Sequence, residues 1–183
     1  AVAAAGGDVV LKNSPVYHID SVIRVLKKVG CDIKIADDIL RIRCDRRPQP
    51  LEILKTQPYP GFPTDMQSQL MTVLSLADGK STIIETIFES RFQNAYELKK
   101  MGANIIIDEK EKKAVISGVR KLKGATVKAH DLRAGAALVI AGIAAEGTTI
   151  IKESDTIERG YEDICRDFNS LGADVSFCSE NIL

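Results

Sequence analysis

Three stretches of the sequence share one pattern of apolar residues and glycine. They read Leu26-Lys27-Lys28-Val29-Gly30-Cys31-Asp32-Ile33, Leu98-Lys99-Lys100-Met101-Gly102-Ala103-Asn104-Ile105 and Phe168-Asn169-Ser170-Leu171-Gly172-Ala173-Asp174-Val175. Their glycines recur at intervals of about 70 residues, which indicates an internal repeat. Because glycine tolerates the left-handed conformation that ends many helices, each stretch predicts a helix that ends at glycine and leads into a strand.

A second feature lies upstream of each stretch: an Ala-rich or apolar helix tail, then a glycine, then a β-branched strand. It occupies residues 3–11, 76–84 and 144–151. After each helix-end glycine there is room for two short strands, such as residues 105–107 and 114–116. The unit is therefore predicted to run helix, strand, helix, strand, strand.

The pattern predicts two kinds of helix in each unit. The helices before the repeated glycines are amphipathic, because apolar residues recur on one face. Those residues are Val22, Ile23, Leu26 and Val29 in the first copy and Tyr161, Ile164, Cys165, Phe168 and Leu171 in the third. Residues 133–146, in contrast, are apolar or small nearly all round, and residues 66–78 also differ from the amphipathic set. We expect the helix at residues 133–146 to be surrounded by protein, at the centre of the domain. Three such inner helices, ringed by sheets, would make a threefold α/β domain.

The first copy of the inner helix has no beginning, since residue 1 already lies about one turn before the glycines at 6 and 7. We therefore expect the first unit to be truncated at its amino end and the chain to derive from a longer one.

Composition favours a single domain without a general attraction for polyanions. The 183 residues are 45% hydrophobic, and 25 Lys and Arg balance 25 Asp and Glu. The basic runs at residues 110–113 and 121–123 lack the interleaved aromatic residues of RNA-binding surfaces. The longest apolar stretch is too short to span a bilayer. Neither nucleic acid nor a membrane is an expected partner.

The cysteines Cys31, Cys44, Cys165 and Cys178 form no Cys-x-x-Cys pair, and no histidine stands at metal-ligand spacing from them. We expect reduced structural thiols in a cytosolic protein and no metal site. The sequence also lacks a Gly-x-Gly-x-x-Gly motif and a Walker loop. Neither a dinucleotide site nor a P-loop is predicted.

A proline-rich loop, residues 58–67, leads into one inner helix. Thr64 and Gln67 have the spacing of a capping box, and Asp65 would favour the positive end of the helix. The alternative interpretation is that the loop fixes the Asp65 carboxylate at a helix mouth, where it accepts a proton from a bound hydroxyl.

His130-Asp131-Leu132-Arg133 occupies the equivalent place before the next inner helix. Asp131 fits an N-cap. A guanidinium at the mouth of a helix of small residues suits a fork-like grip on phosphate or carboxylate, so Arg133 is a candidate anion ligand. Arg159 is either a second anion ligand or a surface arginine, while Glu89 and Arg91 have the usual position of solvated charges at a strand-to-helix junction.

With these residues identified, the chain resembles the carboxy-terminal lobe of the UDP-N-acetylglucosamine enolpyruvyl transferases. The most specific stretches are residues 60–67, 85–92, 131–134 and 158–161, in the order of the family. The resemblance implies an inside-out α/β barrel of three βαβαββ repeats. Residues 1–183 would form one lobe, with approximate repeats at 1–56, 57–118 and 119–183.

The resemblance implies transfer of the enolpyruvyl group of phosphoenolpyruvate to the 3′-hydroxyl of UDP-N-acetylglucosamine, through a tetrahedral adduct and with release of phosphate. This is the first committed step of peptidoglycan synthesis, a cytoplasmic reaction that serves cell wall biogenesis, cell shape and cell division. No cofactor or metal is implied. The implied partner is the amino-terminal lobe, which carries the family's reactive cysteine loop, so the isolated lobe is expected to be inactive.

The resemblance also assigns roles to residues. Asp65 would be the general base at the 3′-hydroxyl, Asp131 an acid beside the reacting carbon, and Arg133 and Arg159 the ligands of phosphoenolpyruvate. The implied substrate-binding residues are Thr64, Asp65, Ile87, Phe88, Glu89, Arg91, Arg133 and Arg159. Two alternatives stay open: a lobe of the shikimate-type enolpyruvyl transferase, and a non-catalytic binding module that reuses the repeat.

Overall fold

Helices and strands alternate along the computed structural model, which describes residues 1–89 and 91–178. The elements are α1 (Val2–Ala5), β1 (Gly7–Leu11), α2 (Asp20–Lys28), β2 (Asp32–Ala36), β3 (Ile39–Cys44), β4 (Leu54–Lys55), α3 (Gln67–Ser75), β5 (Lys80–Ile84), α4 (Gln93–Lys100), β6 (Asn104–Asp108), β7 (Lys113–Ser117), β8 (Thr126–Lys128), α5 (Leu132–Ala144), β9 (Ile150–Lys152), α6 (Asp155–Glu158) and α7 (Ile164–Ser170). Short 3-10 helices occupy Val16–His18 and Thr64–Met66. Among the residues described, no helix is both long and apolar enough to cross a bilayer.

The strands form three separate sheets. The first has the order β1-β3-β2 and is antiparallel, and the second has the order β4-β5-β7-β6 with only β4 and β5 parallel. The third sheet is a parallel pair of β8 and β9. The predicted α/β class is confirmed, as are the strands predicted at residues 105–107 and 114–116.

The second unit has the complete βαβαββ order, from β4 through α3, β5, α4 and β6 to β7. In the first unit the described chain starts at α1. The strand β4 lies before the expected repeat boundary at residue 56, yet it pairs with β5, where Leu54 lies opposite Ile83. The repeat boundaries at 56 and 118 stay a prediction.

The third unit departs from the predicted pattern after Gly172. This glycine follows α7 in the left-handed conformation, at φ 92°, as predicted, but residues 173–178 form no strand. The side chain of Asn169 occupies both backbone groups of Val175: its Nδ2 donates to the carbonyl at 2.8 Å and its Oδ1 accepts from the amide at 2.9 Å. Leu171, predicted on the buried face of this helix, is 54% exposed, because no described strand covers it.

The core lies around two inner helices, as predicted. Every residue of α3 is buried, and so are residues 134–141 of α5. The two helices pack against each other so closely that the Thr72 hydroxyl donates to the Ala137 carbonyl at 3.1 Å, and α1 packs against both. Both inner helices begin within one residue of the predicted start. A contact between Arg133 and Asp65 shows that their amino ends lie side by side.

Candidate functional site

The loop before α3 leaves Asp65 exposed. Pro63 is extended, and Thr64–Met66 form a 3-10 turn before the helix. The predicted capping box is wrong, because no side chain caps α3 and the Thr64 hydroxyl instead donates to Oε2 of Glu85 at 2.9 Å. In a capping box the Thr64 hydroxyl oxygen would accept the backbone amide of Gln67, whereas here the hydroxyl donates to a carboxylate, which is a strong acceptor. With Thr64 held inward, the Asp65 side chain is 58% exposed.

The loop before α5 carries the predicted N-cap. Oδ1 of Asp131 accepts the amide of Arg133 at 2.7 Å and that of Ala134 at 3.0 Å, which satisfies two of the free amides of the first turn. The capped turn presents the Arg133 side chain at the helix mouth, where it is 35% exposed.

Asp65 and Arg133 are in direct contact. Nε of Arg133 donates to Oδ1 of Asp65 at 2.6 Å, and this hydrogen bond raises the pKa of Arg133 above its ordinary value. Nη1 of Arg91 lies 3.7 Å from the same carboxylate oxygen. Arg91 is nearly buried, and its guanidinium lies over the Phe88 ring, 4.2 Å from the ring centroid. Four of the predicted site residues therefore meet, although they belong to three segments of the chain.

Arg159 follows α6, which packs on the first turns of α5. Ile157 is buried against Gly135, and a Cβ added to Gly160 would stand 3.0 Å from Cδ1 of Leu132. The residue after Arg159 thus contacts the residue before Arg133. Arg159 is exposed, and among the described residues it has no ion-pair partner. It follows α6 beside the mouth of α5, and its role as a second anion ligand stays a prediction.

Ile87, Phe88 and Glu89 follow β5 in an exposed segment. The side chains of Ile87 and Phe88 are 41% and 52% exposed, respectively. Their backbone amides are not free, since both donate to Oε1 of Glu85, at 2.9 and 3.1 Å. The segment therefore exposes apolar side chains, while the Glu85 carboxylate fixes its backbone.

Glu85 is the residue that sequence reasoning missed. Its side chain is buried, with 2% of the residue exposed, and four donors surround its carboxylate. A signal for its burial was present in the sequence. Alternate residues of a strand share a face, and Ser81 and Ile83, the preceding residues on that face, are also buried.

The four thiols are free, and the sequence spacing concealed one contact among them. Sγ of Cys31 lies 3.0 Å from Sγ of Cys44, where the ends of β2 and β3 meet. Burial, followed by the contact with Cys44, raises the pKa of Cys31 to about 12. Within residues 1–89 and 91–178, no group of His, Cys, Asp and Glu side chains could hold a metal ion.

Comparison with known proteins identifies the family of the chain. The family model described as EPSP synthase (3-phosphoshikimate 1-carboxyvinyltransferase) matches residues 1–168. A protein from Desulfofundulus thermocisternus named UDP-N-acetylglucosamine 1-carboxyvinyltransferase is 48% identical over 175 residues, which are 96% of the chain and 71% of that relative. The chain belongs to the UDP-N-acetylglucosamine 1-carboxyvinyltransferase family.

Other members of this carboxyvinyltransferase family are longer than the chain. The relative from Caldanaerobacter subterraneus subsp. tengcongensis, named UDP-N-acetylglucosamine 1-carboxyvinyltransferase 2, is 45% identical over 96% of the chain, and the chain spans 42% of its length. The relative from Pseudothermotoga lettingae is 48% identical over 97% of the chain, and the chain spans 42% of the length of that relative as well. The chain thus corresponds to less than half of these carboxyvinyltransferases.

Solved structures show the same fold. The crystal structure of the enolpyruvyl transferase NikO from Streptomyces tendae has 24% sequence identity and a TM-score of 0.83, over 94% of this chain and 41% of that chain. EPSP synthase from Acinetobacter baumannii has 20% sequence identity and a TM-score of 0.76. The match covers 97% of this chain and 45% of that chain. These similarities confirm the predicted enolpyruvyl transferase fold for this member of the carboxyvinyltransferase family.

Proposed function

We propose that the chain is the carboxy-terminal lobe of an enzyme that moves the enolpyruvyl group of phosphoenolpyruvate to the 3′-hydroxyl of UDP-N-acetylglucosamine. The observation that supports this most is the 2.6 Å contact between Asp65 and Arg133. It brings a carboxylate able to take a proton and a cation able to hold an anion to one place, at the mouths of two inner helices. The names of the relatives supply the substrate class.

In the proposed reaction, Asp65 takes the proton of the 3′-hydroxyl while the hydroxyl oxygen attacks C2 of phosphoenolpyruvate. The double bond of phosphoenolpyruvate accepts a proton at C3, which gives a tetrahedral adduct. Loss of a proton from C3 and departure of phosphate from C2 then restore the double bond on the sugar. Asp131 is the proposed acid beside the reacting carbon. Both helix amides bind its Oδ1, so Oδ2 is the oxygen that would serve substrate.

Arg133 and Arg159 are the proposed ligands of phosphoenolpyruvate. A guanidinium donates two parallel hydrogen bonds to phosphate or carboxylate, and its charge does not depend on pH in the physiological range. The hydrogen bond to Asp65 uses Nε of Arg133, and among the described contacts its Nη atoms have no hydrogen-bond partner. These Nη atoms would hold the anion while Nε keeps Asp65 in place.

The sugar nucleotide is proposed to lie against Thr64, Ile87, Phe88, Glu89 and Arg91. The exposed apolar side chains of Ile87 and Phe88 offer a packing surface beside the Asp65 carboxylate. Arg91 links this surface to the carboxylate, because its guanidinium lies over the Phe88 ring and near the Asp65 carboxylate. The wider role that follows from this reaction is cytoplasmic, in peptidoglycan synthesis, and through it in cell shape and cell division.

The isolated lobe is proposed to be inactive, with the remainder of the site in an amino-terminal lobe. The test is to mix this chain with a separately produced amino-terminal lobe of a relative and to measure phosphate release from phosphoenolpyruvate plus UDP-N-acetylglucosamine. We expect release only from the mixture, and much less from a mixture that carries Asp65→Asn. Folded lobes that associate but release no phosphate would favour a binding module. Release with 3-phosphoshikimate as the only acceptor would favour the shikimate-type reaction.

A further inference from the structure

We propose that Glu85 is a positioning residue: it holds the two segments that face the sugar nucleotide in one arrangement, and its loss weakens sugar-nucleotide binding selectively. The inference rests on the proposed function and deepens it. No role for Glu85 follows from the proton transfer or from the anion ligands described above.

The carboxylate of Glu85 is fully engaged. Oε1 accepts from the Thr56 hydroxyl at 2.7 Å and from the amides of Ile87 and Phe88 at 2.9 and 3.1 Å. Oε2 accepts from the Thr64 hydroxyl at 2.9 Å. All of these donors are neutral, and no cation lies within ion-pair distance among the described residues. An ionised carboxylate is costly to bury and is retained in such a place only when hydrogen bonds satisfy it.

The donors come from three segments. The pairing of β4 with β5 holds the first of them beside Glu85, and the Glu85 carboxylate ties the Thr64 turn and the segment after β5 to it. Thr56 follows β4, Thr64 lies in the 3-10 turn beside Asp65, and Ile87 and Phe88 belong to the exposed segment after β5. Thr56 strengthens the link, since its hydroxyl accepts the amide of Thr86 at 2.9 Å and its carbonyl accepts the Thr86 hydroxyl at 2.5 Å.

The network of Glu85 reaches Asp65 from two directions. Thr64, which donates to Glu85, is the residue before Asp65. Phe88, whose amide donates to Glu85, lies under the Arg91 guanidinium, and Arg91 in turn lies 3.7 Å from the Asp65 carboxylate. Glu85 therefore fixes the distance between the Asp65 carboxylate and the exposed apolar side chains of Ile87 and Phe88. A sugar nucleotide that touches both needs this distance to be constant.

Two variants of Glu85 distinguish the loss of its hydrogen bonds from a change in the size of its side chain. Glu85→Ala removes both acceptors and frees all four donors. Glu85→Gln keeps the shape and one acceptor oxygen, and the Thr64 hydroxyl can rotate to accept from the new amide group. Most of the arrangement should therefore survive in Glu85→Gln. Glu97→Ala is the matched control, because Glu97 is also a buried carboxylate of this unit, with 4% exposed, but it binds Lys100, the amide of Lys128 and His130.

The experiment measures KM for each substrate in the reconstituted two-lobe enzyme. In Glu85→Ala we expect KM for UDP-N-acetylglucosamine to rise about tenfold or more, the loss expected for about 1.4 kcal/mol of binding, with KM for phosphoenolpyruvate within about threefold. Glu85→Gln should recover most of the difference, and Glu97→Ala should leave KM for the sugar nucleotide within about twofold. Equal losses for both substrates in Glu85→Ala, or no loss, would overturn the inference.

A second measurement does not depend on turnover. Amide hydrogen exchange at Ile87 and Phe88 should accelerate at least about tenfold in Glu85→Ala relative to the unaltered chain, and less in Glu85→Gln. Unchanged exchange would refute the positioning role even if the enzyme is active. Faster exchange in a protein that never uses UDP-N-acetylglucosamine would instead refute the proposed function alone. If Glu85→Ala does not fold, Thr64→Val takes its place, because it removes the hydroxyl that donates to Oε2 of Glu85. Unchanged KM for the sugar nucleotide in that variant would overturn the inference.

Discussion

Nε of Arg133 donates a hydrogen bond to Oδ1 of Asp65 across 2.6 Å, and this contact joins the mouth of α5 to the turn before α3. The two residues are far apart in the chain, and only the packing of α3 on α5 brings them together. Their side chains are 35% and 58% exposed, so the pair adds little to the free energy of unfolding, about 1 kcal/mol at most. Its significance lies in placing a proton acceptor beside an anion ligand.

Arg133→Lys should lower kcat/KM for phosphoenolpyruvate by about 10- to 100-fold, because an ammonium keeps the charge but cannot supply the planar fork. The free energy of unfolding should change by less than about 1 kcal/mol, since the pair is exposed. Steady-state kinetics and urea unfolding check both. Arg166→Lys, at an exposed arginine of α7, is the control and should leave kinetics unchanged. Unaltered kinetics in Arg133→Lys would remove this residue from the site.

Gly135→Ala should displace α6 from α5. A Cβ at this position would overlap Cγ1 of Ile157, so α6 must move and carry Arg159 with it. We expect KM for phosphoenolpyruvate to rise severalfold and stability to fall by about 1–3 kcal/mol.

Adding Ile157→Ala to Gly135→Ala removes the overlapping atoms. KM should then return toward its original value, while stability should not, because the buried Ile157 side chain is lost. A wild-type KM in Gly135→Ala would show that the position of α6 does not set that of Arg159.

The lowered pKa of Glu97 implies that the free energy of unfolding depends on pH. Burial alone would raise the pKa of Glu97, but hydrogen bonds from Lys100, the amide of Lys128 and His130 outweigh it and hold the pKa below its ordinary value. A carboxyl whose pKa is lower in the folded state stabilises the fold fully above the unfolded value, about 4.3, and loses this contribution as pH falls through the folded value.

The unfolding free energies of the unaltered chain and of Glu97→Gln should therefore differ above the unfolded pKa, and the difference should shrink as pH falls below about 4.3 and through the lower folded pKa of Glu97. Urea unfolding over this range measures the difference, and the exposed Glu111→Gln variant controls for the loss of one charge. A difference that stays constant at every pH would contradict the assignment.

The thiols should differ in reactivity. The thiolate is the reactive form, and burial raises the pKa of Cys31 to about 12, whereas Cys178 is exposed. Iodoacetamide at pH 8 should alkylate Cys178 in the folded chain and reach Cys31 and Cys44 only after unfolding. Peptide mass spectrometry distinguishes the sites, and labelling of Cys31 as fast as Cys178 would show that β2 and β3 open readily.

What the sequence predicts well is local. Gly30, Gly102 and Gly172 all adopt the left-handed conformation, at φ 102°, 90° and 92°, as the helix-end pattern requires. The small, apolar surface of α5 predicts its burial, because a helix without a polar face must be covered by protein. The cap at Asp131 also depends only on its immediate neighbours.

What the sequence did not predict depends on competition between distant partners. Thr64 binds Glu85 in preference to capping its own helix, and Asn169 takes the backbone groups of Val175 that a strand would need. The contact of Asp65 with Arg133 likewise requires α3 and α5 to pack with their amino ends side by side. Charged and polar side chains have several possible acceptors, and only the folded chain selects among them.

We propose that Asp65, Arg133 and Arg159 face one cleft that receives the substrates. A crystal structure of the reconstituted enzyme with UDP-N-acetylglucosamine bound tests it most directly, through the distance from the Asp65 carboxylate to the sugar 3′-hydroxyl oxygen. We expect hydrogen-bond distance, about 2.5–3.0 Å, with Arg133 and Arg159 directed at the adjacent phosphoenolpyruvate position. A sugar nucleotide bound away from Asp65, or the two arginines on opposite sides of the lobe, would contradict it.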